Sequence, residues 1–282
     1  QARERLRALA NVGASEDVAG FLKSISFPQR SHVEDFQVAP LTKARITRAS
    51  LLAKAGLKDL AEGELRFGAD AGEQPPVIAM ELAKLLSDGD PAKAMRYIKR
   101  YARGYLLMPI PSAPHDFWKL AFPLPFRAGL ERYTEQHSVD MYLMAALIRQ
   151  ESEFDPQAVS VTNARGLTQI EPTTGKDLAK RLRVPYALPK LFQPDYNLQL
   201  GTFYFSWLTK QLNGNTEAAL ASYNVGMTRA KQWLKWGDFR EPAEFIETVP
   251  ITQTRDYIQS VLRNAAAYRE IYEGPARKQQ AE

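Results

Sequence analysis

The sequence predicts a mainly α-helical protein, and three observations carry that expectation. Residues 1–110 contain short stretches with apolar residues at helical spacing, separated by turns that hold Gly or Asp. Residues 140–151 are apolar almost all round, the mark of a helix buried at the centre of a second unit. Helical patterning then recurs as far as residue 272.

Taken in order, residues 39–55 form a helix ending at Gly56, and residues 57–67 a second ending at Gly68. Residues 75–86 and 91–105 form a further pair, split by Ser87-Asp88-Gly89-Asp90, a turn and cap signal. Paired helices of this kind predict a solenoid- or superhelix-like stack over residues 1–110, which reads as a scaffold or a docking surface for a protein partner. Residues 111–126 are a connector. Pro111, Pro114, Pro123 and Pro125 break long helices there, while Phe117, Trp118, Phe122 and Phe126 demand burial. A second, mostly helical domain spans 127–275. Its expected elements are a helix from Thr173 or Thr174 to 183, one over 197–212, one over 216–223, one from Thr228 to 236, and a long one over 252–272 closed by Gly274-Pro275. Residues 276–282 form a polar, flexible tail.

Composition bounds the function. Hydrophobic residues make up 45% and charged residues 24% of the 282-residue chain, as in ordinary globular protein. The longest strongly apolar run, 141–148, is far too short to span a bilayer. The net charge is +5, split +4 over residues 1–110 and +1 over the rest, with both signs mixed and no basic block interleaved with aromatics. A nucleic-acid partner is therefore not expected. There is no cysteine, so disulfide and thiol chemistry are excluded. His32, His115 and His137 are isolated, with no metal-ligand spacing and no dinucleotide or phosphate-loop fingerprint, so neither metal nor cofactor is expected. The chain begins at Gln1, not Met, which reads as a removed signal peptide or a fragment.

The chemistry concentrates around Glu151, in Arg149-Gln150-Glu151-Ser152 at the end of the apolar helix. Burial and the negative end of the helix dipole both disfavour its ionised form. A carboxyl kept protonated near neutral pH is what general-acid cleavage of a glycosidic bond requires.

Four motifs occur in order: Arg149 to Ser152, Ala164-Arg165-Gly166-Leu167-Thr168-Gln169-Ile170-Glu171-Pro172, Ala221-Ser222-Tyr223-Asn224-Val225-Gly226, and Glu247-Thr248-Val249-Pro250 with Thr254, Arg255 and Tyr257. Over residues 122–270 the chain resembles the soluble lytic murein transglycosylase family, whose catalytic domain has a goose-lysozyme-like fold. The resemblance implies that Glu151 is the single catalytic acid and base, and that Tyr223 holds its carboxyl. It implies that Ser160, Gly166, Leu167, Thr168, Gln169, Asn224 and Glu247 bind substrate, with Ser152 as structural support. Asn163 and Thr168 stand where the family commonly has Gly and Met. Asn tolerates positive φ, so the turn survives, while Thr168 is expected to alter sugar-subsite affinity. The implied reaction cleaves the bond between N-acetylmuramic acid and N-acetylglucosamine in peptidoglycan strands and leaves 1,6-anhydromuramic ends. A periplasmic monomer is implied. A hydrolytic lysozyme and an inactive glycan-binding scaffold are the alternatives. Read without the family, Gly166 is turn punctuation, Tyr223 a core aromatic and Glu247 a surface residue.

Overall fold

The computed structural model describes residues 34–279, with side chains to 274. Four helices come first: α1 (Pro40–Lys54), α2 (Lys58–Asp70), α3 (Pro75–Leu86) and α4 (Pro91–Tyr101). Each packs on the next, as the Gly- and Asp-punctuated pairs predict. Proline at the first turn starts α1, α3 and α4, where its missing N–H costs nothing. Asp90 caps α4 by accepting from the Lys93 amide at 2.8 Å.

Two boundaries differ from expectation. Helix α4 stops at Tyr101 and not at 105, because the backbone leaves the helical region at Ala102 and turns left-handed at Gly104, φ +83°. Helix α2 does not stop at Gly68 but runs on to Asp70. Gly68 lies inside it because the buried Arg45 side chain lies against its Cα: a Cβ there would sit 2.3 Å from Arg45 Cδ. Arg45 in turn is pinned, donating to both Glu73 oxygens at 2.7 and 2.9 Å and to Glu64 Oε1 at 2.8 Å.

The Pro- and aromatic-rich connector is packed. Two 3-10 turns, Tyr105–Leu107 and Ile110–Ser112, lead into helix α5 (His115–Ala121). Phe117, Trp118 and Phe122 are all buried, and the Trp118 indole donates to the Ile110 carbonyl at 2.6 Å.

Helices α6 (Arg127–His137) and α7 (Met141–Glu151) follow, the latter capped by Asp140, which accepts from the Leu143 amide at 2.7 Å. Then come α8 (Pro172–Leu182), α9 (Pro194–Gln211), α10 (Thr216–Val225), α11 (Met227–Leu234), α12 (Pro242–Thr248) and α13 (Thr252–Gln279). Residues 142–149 of α7 are buried without interruption, and α13 and α6 pack along it. The largest hydrophobic cluster is continuous from Ala79 and Ile98 through Phe117 and Phe122 to α7, α10 and α13. Among the described residues there is no strand. Two isolated bridges, Val159 with Arg165 and Arg165 with Ile170, pin the loop after α7.

Three further local expectations are corrected. Neither Thr173 nor Thr174 caps α8, which starts at Pro172 after an extended Glu171. Thr228 lies inside α11, which starts at Met227 after Gly226 at φ +87°. Gly274-Pro275 does not close the last helix, which continues to Gln279. Pro275 has no N–H to give the carbonyl four residues before it. That carbonyl, of Ile271, instead accepts from His115 Nε2 at 2.9 Å, so a side chain of α5 repairs the ladder.

Substituting Gly68→Ala tests the Arg45 clamp. Helix propensity alone favours Ala by about 1 kcal/mol, yet the methyl would displace a side chain held by two carboxylates. We expect a net loss of about 1–2 kcal/mol, read as a lower Tm in thermal unfolding.

Candidate active site

Glu151 is the last residue of α7, and the chain turns sharply after it. Glu153 and Phe154 both take left-handed backbone, at φ +54° and +64°. A buried Phe154 in that conformation is strained and persists only because the core holds its ring. The turn leaves the Glu151 carboxyl against a cleft of about 610 Å³. One wall is the loop 158–171, carrying Ser160, Thr162, Gln169 and Glu171; the other is the end of α10, with Tyr223, Asn224 and Gly226.

Burial pushes the Glu151 carboxyl up to about 7, against the opposing pull of one hydrogen bond from Tyr257. The Tyr257 hydroxyl donates to Glu151 Oε1 at 2.6 Å. Tyr257 lies on α13 and is itself buried, and its own ionisation is pushed well above the usual phenol range by burial and by the adjacent carboxyl.

This geometry corrects the role expected of Tyr223. Its hydroxyl donates to the Thr168 carbonyl at 2.7 Å and so ties α10 to the opposite loop. Its ring lines the cleft, packed against Tyr204 at 5.2 Å. The phenol that holds the acid is Tyr257. It belongs to the fourth motif, and its helical spacing from Thr254 was the available signal, since Thr254 also turns to the site and donates to Asn224 Oδ1 at 2.8 Å.

The other expected residues divide into two groups. Ser160, Gln169 and Asn224 reach the cleft with Glu151 and Tyr223. Gly166, Leu167, Thr168 and Ser152 lie beneath it as support. Ser152 donates to the Leu167 carbonyl at 2.7 Å, joining the end of α7 to the loop. Gly166 has φ +73°, and a Cβ there would lie 2.1 Å from the Leu191 carbonyl oxygen. Leu167 and Thr168 are fully buried, so neither side chain is exposed to the cleft. Asn163 takes φ +68°, and its side chain accepts from Arg165 at 2.9 Å. Glu247 is exposed on α12, accepts from Gln259 at 3.1 Å and is not on the cleft wall. Thr162, Thr174, Tyr204, Arg229 and Gln253 also line the cleft and lie outside the expected set.

His115 serves the end of α13, His32 lies outside the described residues, and among the described residues no cluster of His, Asp or Glu is arranged to hold a metal.

A half-buried acid on a cleft floor, a phenol holding it, and the Tyr-Asn pair facing the Gly-Leu-Thr-Gln loop form one constellation. Residues 130–246 match the family model for the transglycosylase SLT domain. Over that stretch the chain is similar to this family. It is 34% identical over 157 residues to a soluble lytic murein transglycosylase of Escherichia coli K12, covering 55% of this chain and 24% of that protein. It thus spans about a quarter of the length of the curated relatives it matches. An inactive Glu→Gln mutant of the lytic transglycosylase Slt from Pseudomonas aeruginosa superposes with a TM-score of 0.65 at 28% identity, covering 90% of this chain and 40% of that one. The soluble lytic transglycosylase of Escherichia coli shares the fold, with a TM-score of 0.61 at 24% identity over 89% of this chain and 40% of that one. The mainly α-helical architecture of this chain agrees with both.

The raised pKa makes Glu151 a measurable cost to stability. Below about pH 4.5 the folded and unfolded carboxyls are both neutral. Between there and about 7 only the unfolded one ionises, so stability falls as pH rises, and the loss is complete above 7. Glu151→Gln should therefore match the parent at pH 4 and exceed it by about 3 kcal/mol at pH 8, measured by chemical unfolding. Tyr257→Phe should move this profile to higher pH by removing the bond that favours the carboxylate. Tyr223→Phe should leave it in place.

Proposed function

We propose that this chain is a lytic transglycosylase of the SLT type that cleaves the β-1,4 bond between N-acetylmuramic acid and N-acetylglucosamine in peptidoglycan strands. The observation that carries the reading is the Glu151 carboxyl, protonated near neutral pH on the floor of a polar cleft. In this reading it protonates the bridging oxygen as the bond to the muramic acid carbon breaks. The substrate's own N-acetyl group supports the oxocarbenium-like centre. The carboxylate so formed takes the proton from the C6 hydroxyl, whose oxygen closes the 1,6-anhydro ring. No water is consumed, and Glu151 ends protonated as it began. Tyr257 holds the carboxyl through both steps.

The neighbouring carboxylates support a single-acid mechanism. Glu153 is turned away into an ion pair with Lys99, Asp155 accepts from the Gln157 amide at 2.8 Å, and Glu247 is off the cleft. Glu171 lies on the cleft wall, and it is the residue a hydrolytic lysozyme would recruit as a second carboxylate.

Several finer points belong to the same proposal. The chain divides into a helical module over 1–110, a connector over 111–126, a glycan-cleaving module over 127–275 and a tail over 276–282. A protein partner on the helical module is supported by the exposed Leu41, Leu51, Leu60 and Phe67 of α1 and α2. Action as a monomer in the periplasm fits a cell-wall substrate. Among the described residues no helix is long and apolar enough to cross a membrane.

Mass spectrometry of the soluble products from purified peptidoglycan decides the reaction. We expect fragments ending in 1,6-anhydromuramic acid from the parent chain and none from Glu151→Gln. Reducing-end muramic acid, abolished by Glu171→Gln, would instead establish hydrolysis.

A further inference from the structure

Arg149 is 6% exposed and stands two positions before the catalytic glutamate. Successive residues of a helix are about 100° apart, so Arg149 and Glu151 leave α7 on nearly opposite sides. Glu151 faces the cleft, and Arg149 faces the helical half. Its guanidinium donates to the Ala121 carbonyl and the Tyr105 hydroxyl, each at 2.5 Å, and reaches Met95 Sδ at 2.6 Å. Its carbon lies 4.3 Å from the centre of the Phe122 ring, and it also faces the Tyr268 hydroxyl on α13. Among the described residues no carboxylate pairs with it.

A buried charge without a counter-ion is costly, and an apolar side chain of similar size would fill the same space more cheaply. What an apolar side chain lacks is direction. The planar fork bonds in fixed directions to the 3-10 turn and to α5, and it touches α4. A second link lies one turn on, where Lys99 of α4 pairs with Glu153 just beyond the helix end. The two links bracket Glu151.

We propose that Arg149 is a positioning residue, and that residues 95–122, through the seat they build for its guanidinium, set how deeply the Glu151 carboxyl sits in the cleft. The proposal rests on Glu151 as the acid. It makes α4, the connector and α5 a working part of the active site. The groups that face Glu151 from the surrounding elements are the phenols of Tyr257 on α13 and Tyr223 on α10, with Glu171 and Arg229 elsewhere on the same cleft. None of them touches Arg149, so a change at Arg149 reaches the acid through the position of the helix end.

The test compares Arg149→Met, Arg149→Lys and the milder Tyr105→Phe with the parent, all as the full chain. Anhydro-product formation is measured against pH, and the Glu151 pKa is read separately from pH-dependent unfolding beside matched Glu151→Gln variants. For Arg149→Met we expect kcat to fall roughly 10- to 100-fold with KM within about threefold, the scale of a misplaced catalytic group. Water admitted to the loosened helix end lowers the Glu151 pKa, so the alkaline limb moves to lower pH. Arg149→Lys recovers part of the loss, and Tyr105→Phe shows the same shift on a smaller scale. An unchanged Glu151 pKa, with activity following only the folded fraction, overturns the proposal. If Arg149→Met does not fold, Tyr105→Phe decides. If the parent yields no anhydro product, the glycan-cleaving reading fails, and the unfolding pKa still decides whether Arg149 sets the burial of Glu151.

Discussion

The structure turns on one carboxyl that is denied water. Glu151 ends a helix whose residues 142–149 are buried, so its charge would have to sit at the negative end of a helix dipole and beside a hydrophobic core. One hydrogen bond, from Tyr257, offsets part of that cost. The balance leaves the acid protonated to about 7, at the expense of roughly 2–3 kcal/mol of stability in neutral solution. Much of the remaining architecture can be understood as what is needed to keep the carboxyl in that position, because any loosening that lets water in would return it to an ordinary glutamate.

Support comes from three directions. Helix α13 supplies Tyr257 and packs along α7, and its own ladder, interrupted at Pro275, is completed by His115 from the connector. The loop after α7 is tied back by Ser152. The helical half holds the opposite side of α7 through Arg149. The stretch that composition marks as a connector is thus the place where the first and third of these meet, through His115 and the Ala121 carbonyl.

Helix positions were legible wherever local rules decide them. Proline starts and acidic caps set the beginnings of α3, α4 and α7 within a residue of expectation. Two of the misjudged ends share one cause. Gly68 and Gly274-Pro275 are stop signals in isolation, but contacts from Arg45 and His115, distant in sequence, reverse their meaning. The acid was legible because an apolar helix ending in Glu is a local pattern. Its phenol partner was not, because Tyr223 and Tyr257 both belong to the motifs. Which hydroxyl reaches the carboxyl depends on how α10 and α13 cross α7.

The loop between α7 and α8 shows why a motif residue need not touch substrate. Asn197 of α9 is fully buried beneath it and uses its whole amide there. Its Nδ2 donates to the Arg165 and Leu191 carbonyls at 3.0 and 2.8 Å, and its Oδ1 accepts from the Thr168 amide and hydroxyl at 2.8 and 2.7 Å. Gly166 must lack a side chain for that amide to fit, and Gly201 must lack one for Thr168 to fit. The Thr hydroxyl therefore completes a buried polar network, in which an unsatisfied Asn197 oxygen valence would be costly. The departure from the family's usual Met at this position changes how the loop is fastened, not what the cleft presents. Gln169, next in sequence, takes φ +49° and lines the cleft from this fastened base. Motif residues in such a loop can mark where it is anchored, while the anchors leave others, Gln169 among them, facing the cleft.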